Sequence, residues 1–97
     1  MVKRIVWTSR AYAIFSQILE YYAIRNQSKV YSRKLHLEIQ QMIDLIAKFP
    51  WMGMKTSFKG IHVLIKGRYK IYYAITADEI IIHLVWDTRQ NPKSLKL

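Results

Sequence analysis

A chain of 97 residues, 52% hydrophobic and with five Gly plus Pro (3 + 2), has material for one modest core, so a single domain spanning residues 1–97 is expected and a second core is excluded. The absence of cysteine excludes disulfides, thiolate nucleophiles and thiolate metal sites together. A formal net charge of +10 from sixteen basic and six acidic residues is large for this length, and such self-repulsion is tolerated where a polyanion or an acidic protein gains from it.

The N-terminal "MVKRIVWTSR" has basic residues but no apolar run long enough for a signal peptide. Elsewhere the apolar runs are strand-sized and too short to cross a bilayer, so a cytoplasmic protein with no membrane partner is expected.

Residues 2–7, "VKRIVW", alternate loosely and predict a strand with Ile5 and Trp7 on one face. Thr8 or Ser9 is placed to cap the next helix by accepting from its free backbone amides. From Arg10 to about Arg25, Ala11, Ile14, Phe15, Ile18 and Tyr22 recur at helical spacing. "NQS" at 26–28 is a polar break, with Ser28 as a second N-cap. A second helix is predicted from Lys29 to about Phe49, with Tyr31, Leu35, Ile39, Met42, Ile46 and Phe49 as its buried stripe. Pro50 ends it, because proline disfavours helical geometry at the residue before it and has no N–H to donate. So short a link between two amphipathic helices implies an antiparallel hairpin.

After "WMGMKTSFKG" the period changes to two. The runs "IHVLIK" (61–66), "YKIYYAIT" (69–76) and "IIIHLVW" (80–86) predict three strands, and turns as short as "GR" and "ADE" make them an antiparallel meander. In the middle strand Tyr69, Ile71, Tyr73 and Ile75 share one face, and Lys70, Tyr72, Ala74 and Thr76 the other. The last strand is apolar on both faces, which places it inside the sheet with the first strand beside it. The fold class is therefore α+β and two-layered, in the order strand-helix-helix-strand-strand-strand, with a helical hairpin packed on a small, mostly antiparallel sheet. The second face of that sheet is expected to be partly open, with Lys70, Tyr72, His83 and Arg89 gathered on it.

Chemistry is constrained by what is missing. Of the six acids, Glu20, Glu38 and Asp44 lie on predicted helices and Asp78 and Glu79 in a turn, which leaves Asp87 as the acid near the open face. Paired-carboxylate hydrolysis and acidic metal clusters lose their support. His36, His62 and His83 have no metal-ligand spacing, and His83 reads either as a hydrogen-bonded sheet histidine or as a base. Gly53, Gly60 and Gly67 match no phosphate loop. No metal and no cofactor are expected.

What remains is cationic and aromatic. Between Met52 and Ala77 there is no acid, while Lys55, Lys59, Lys66, Arg68 and Lys70 all fall there. Lys55, Lys59, Arg68, Lys70 and Arg89, with Tyr69, Tyr72 and Trp86, form a set that binds phosphates and stacks on unpaired bases. Fixed cations also stabilise charge that develops on a phosphorane, and a lysine crowded by cations can act as a base, which makes Lys70 and Arg89 the candidate catalytic pair. Arg68, at a tight turn, reads equally as a solvated hairpin tip.

Two stretches carry a family resemblance. "IVWTSRAYAIFSQILEYY" and "GRYKIYYAITADEIIIHLVWDTRQNP" resemble the opening strand-helix step and the C-terminal hairpin of RelE/ParE-type toxins. The resemblance implies the toxin of a bacterial type II toxin–antitoxin module, held inactive by a cognate, acidic antitoxin that folds as it binds. RelE-like members cleave mRNA on the ribosome, and ParE-like members poison DNA gyrase without a nuclease site. On the RelE-like reading, taken here as the leading one, Lys70 and Arg89 serve cleavage, and Lys55 or Lys59 matches the lysines before the hairpin. The family's C-terminal tyrosine is absent from "QNPKSLKL". Gyrase inhibition is the alternative, and a small, non-toxic RNA-binding module is a third.

Overall fold

A computed structural model describes residues 2–89. Along the chain it comprises strand β1 (Arg4–Trp7), helices α1 (Ser9–Arg25) and α2 (Val30–Lys48), a 3-10 turn (Pro50–Met52), and strands β2 (Met54–Lys55), β3 (His62–Lys66), β4 (Tyr69–Ile75) and β5 (Glu79–Asp87). The α+β order read from the sequence is present, with the two-residue β2 added at one edge. Thr8 caps α1, its hydroxyl accepting from the Ala11 N–H at 3.0 Å. Ser28 is not the cap of α2. That position belongs to Lys29, whose side chain makes no capping bond, although the Ser28 hydroxyl does accept from the Val30 N–H at 3.2 Å.

The sheet order is β1-β5-β4-β3-β2, antiparallel throughout except for the parallel pair β1/β5. The parallel pair arises because the helical hairpin carries the chain back across the sheet between β1 and β5. One face packs on the helices: Ile71, Tyr73, Ile80, Ile82 and Val85 meet Phe15, Ile18, Leu35, Ile39 and Ile43 in one cluster. Each such side chain contributes about 1.5–3 kcal/mol on full burial. Phe49, expected on the buried stripe of α2, is instead 61% exposed, because the helix ends at Lys48 and the backbone leaves helical geometry at Phe49 itself.

Two features depart from simple alternation. Tyr72 pairs with Leu84 while Tyr73 pairs with Ile82, so His83 has no partner on β4 and forms a bulge in β5. A one-residue slip exchanges the faces of every side chain beyond it. Ile80 and Ile82 therefore point at the helices before the bulge, and Val85 does so after it, while Leu84 and Trp86 join Val63 and Tyr72 in a second cluster on the far face. Those four are buried too, so the far face is not the open surface that the alternation predicts.

At the other end of the sheet the Tyr73 hydroxyl donates to the Pro50 carbonyl at 2.8 Å and accepts from the Gly53 N–H at 3.1 Å, tying the 3-10 turn to β4. A Cβ on Gly53 would press on the Tyr73 hydroxyl and lie 2.8 Å from the Val63 carbonyl oxygen. Gly53→Ala should therefore lower unfolding free energy by about 1–3 kcal/mol, read by urea denaturation; unchanged stability would contradict this close packing.

Candidate functional site

The side chains most densely bonded to one another lie where β5 ends. Asp87 projects to the helix side, its side chain 4% exposed. It accepts from the Tyr22 hydroxyl at 2.8 Å, from Arg89 Nη2 at 2.8 Å, and from the Arg89 backbone N–H at 2.9 Å. The last of these closes a side-chain turn of the kind aspartate makes two residues ahead of its own position. Arg89 Nε also donates to both carboxylate oxygens, at 3.1 and 3.2 Å, and Nη2 donates to the Tyr69 hydroxyl at 3.2 Å. The Tyr69 and Tyr31 hydroxyls are 2.9 Å apart. The guanidinium carbon stands 4.9 Å from the centre of the Tyr22 ring, a cation–π distance.

Titration follows from this geometry. Burial pushes the Asp87 carboxyl up, but hydrogen bonds from the Arg89 side chain and backbone and from Tyr22, with the guanidinium charge, outweigh it and hold the group below the usual carboxylate range. Burial and the hydrogen bond to Asp87 push the Tyr22 hydroxyl up to about 12. Burial raises Tyr69 as well, followed by its hydrogen bond with Tyr31. The Asp87 hydrogen bonds raise Arg89 further above its already high value. At neutral pH the cluster is one ion pair beside the neutral hydroxyls of Tyr22 and Tyr69. Beside it, Ile14, Gln17, Tyr21 and Arg25 of α1 line a cleft of about 580 Å³ that reaches Asp87 and Arg89.

The sequence-predicted cations do not converge. Lys70 sits opposite Ile65 and Trp86, half-buried on the far face, whereas Arg89 bonds Tyr69 and Asp87 on the helix side. The sheet lies between them, so the expected gathering of Lys70, His83 and Arg89 on one open face is corrected. The reason is the His83 bulge, which turns everything after it, Asp87 included, to the other side. Arg68 is exposed at the β3–β4 turn, its carbonyl accepting from the Thr88 N–H at 2.7 Å, which brings it to the Arg89 end. Lys55 and Lys59 are exposed at the opposite end of β3. His83 is half-buried at the bulge. Gln90, Asn91 and Pro92, the end of the stretch that resembles the family's C-terminal hairpin, lie outside the described residues. Tyr22, Tyr31 and Asp87 were not singled out as site residues. The signal available was the Asp-x-Arg step at a strand end, which invites the side-chain turn seen here.

Among the described residues no group of three or more His, Cys, Asp or Glu could hold a metal ion. A family model of the ParE toxin of the type II toxin–antitoxin system, parDE, matches residues 5–92. The chain belongs to the ParE toxin family. Among solved structures, the chromosomal ParDE TA system from P. aeruginosa is similar with a TM-score of 0.60 and 15% identity, over 89% of this chain and 96% of that one, a likeness that shows the fold. No curated protein matches. As a ParE-family chain it is the toxin component of such a module, with a cognate antitoxin as partner.

In this ParE-family chain the lowered Asp87 value means stability that is present above the unfolded aspartate's pKa and is lost as pH falls through the folded one. Arg89→Ala should therefore cost about 1.5–3 kcal/mol at neutral pH, and the gap to wild type should close as the medium is acidified below roughly pH 4. Thermal unfolding across pH reads this. A gap that stays constant into strong acid would contradict the ion pair.

Proposed function

We propose that this ParE-family toxin arrests growth by binding DNA gyrase, without an RNA-cleaving step, and that its cognate antitoxin silences it by covering the toxin. The observation that carries the reading is the commitment of Arg89 to Asp87 on one side of the sheet while Lys70 stands on the other. Cleavage of the RelE-like kind would need cations on two sides of one phosphate, held before charge develops. Here the two are divided by a strand layer, and one is already neutralised by a buried carboxylate. The gyrase target is what ParE-like membership implies. Lys55, Lys59, Arg68 and Lys70 then act as contact cations that steer an acidic or nucleic-acid-bound partner, not as a cradle for a scissile bond. Among the described residues no helix is long and apolar enough to cross a membrane.

Purified toxin should inhibit supercoiling by gyrase, and addition of the antitoxin should relieve that inhibition, while mRNA in a translating extract stays intact. Lys70→Ala should weaken inhibition without altering RNA integrity. Intact supercoiling together with mRNA cleavage that Arg89→Ala or Lys70→Ala abolishes would restore the nuclease reading.

A further inference from the structure

The outward side of α2 carries groups that nothing within the chain matches. The helix buries Leu35, Ile39, Met42, Ile43 and Ile46 in the core, yet Val30, Leu37 and Leu45 on its other side are 72%, 59% and 42% exposed. A helix that answers only to its own core carries polar residues there. Arg33, Gln40 and Asp44 are exposed along the same side. The order Val30, Arg33, Leu37, Gln40, Asp44 steps by three and four residues in turn, the spacing with which one helix presents a seam to another.

Charge narrows the choice of occupant. Arg33 and Asp44 stand eleven residues apart, close to three full turns, so they share one line of the helix at a separation of about 16 Å. That is too far for them to meet. The ion pairs among the described residues are Arg4–Glu79 and Arg89–Asp87, so both charges are unmatched within the chain. Glu20, Glu38 and Asp44, three of the six acids, lie on α1 and α2, whereas no acid occurs from Leu45 to Ala77. The helical layer is thus where two copies of a chain of charge +10 repel each other least. At physiological salt, charges more than about 8 Å apart are largely screened, which confines the remaining repulsion to near neighbours.

We infer that α2 pairs antiparallel with α2 of a second copy, about a two-fold axis that passes between Leu37 and Gln40. In such a pair the same patch serves both chains, and each contact occurs in duplicate. Arg33 then meets the partner's Asp44, Asp44 meets the partner's Arg33, and Leu37 packs against the stem of the partner's Gln40. Both pairings are centred on the same point of the helix, so one register satisfies them together. A parallel pair would set each charge against its own kind, which selects the antiparallel one. The apolar seam supplies attachment and the ion pairs supply register. One pair of helices is a small contact, of the size found in transient complexes, so dimer and monomer exchange. The inference does not rest on the cellular target, because none of the cations assigned to target contact lies on α2.

Sedimentation velocity of the full, antitoxin-free chain over about a hundredfold range of concentration tests this. The wild type should pass from monomer to dimer. Leu37→Lys should stay monomeric, and Arg33→Asp or Asp44→Arg should each weaken dimerisation about tenfold. Circular dichroism should be unchanged, because all three positions are exposed. The double variant Arg33→Asp/Asp44→Arg exchanges the two charges and should recover dimerisation to within about threefold of wild type. The inference is overturned if the wild type stays monomeric throughout, or if Leu37→Lys dimerises equally well, which would place the contact on another face. Single reversals that leave the curve unmoved, or a double reversal no better than either single one, would overturn the antiparallel register.

Discussion

The single unpaired residue in β5, His83, determines which face of the sheet Asp87 and the rest of that strand's end reach. β5 is flanked by β1 and β4 and is buried on both faces, so it must satisfy two layers at once. With strict alternation, Leu84 and Trp86 would enter the helical core, and Val85, Asp87 and the residues after it would face away. The bulge at His83 reverses this. Val85 fills the helical core, Leu84 and Trp86 fill the far cluster, and Asp87 comes within hydrogen-bond reach of Tyr22. An aspartate carried to the helix side and buried needs a cation, since an uncompensated carboxylate there is costly. Arg89 supplies it by folding back two residues.

Helix α1 has its place for a related reason. β1 covers β5 only from Glu79 to Ile82, and the chain leaves the sheet at Thr8, whose N–H donates to the Ile82 carbonyl at 3.1 Å. Beyond that point α1 accompanies β5, and Ile14 packs against both clusters at once. The α1 stripe thus seals the strand edge that β1 leaves uncovered, and Tyr22, near the end of the helix, reaches the aspartate. The cluster is a product of these packing constraints, and it engages Arg89 through Nε and Nη2.

Much of this was legible in the sequence. The helical stripes of Phe15 and Ile18, and of Leu35, Ile39 and Ile46, needed only their spacing. The first strand's place beside the last followed from the two-sided apolarity of β5. Phe49 was misjudged because periodicity continues one residue past the point where Pro50 denies the backbone a helical conformation. The bulge was invisible for a deeper reason: "IIIHLVW" is apolar on either phase, so no residue marks where the register slips, and the mistake then carried Asp87 and Arg89 to the wrong face. The two-residue β2 is too short to show a period at all. Lys55, Lys59 and Arg68 were recognisable as cations, but their separation along the sheet depends on pairings that composition does not contain.

The central claim is that the sheet separates Arg89 from Lys70 and that Asp87 holds the former. Side-chain NMR of the arginine Nε–H and lysine ammonium groups tests it most directly. Arg89 Nε–H should exchange slowly with water, show nuclear Overhauser contacts to Tyr22 and Tyr69, and ignore added inorganic phosphate, while Lys70 shows contacts to Trp86 alone of these aromatics. Rapid exchange of the Arg89 proton, with Arg89 and Lys70 shifting together as phosphate is added, would contradict the account.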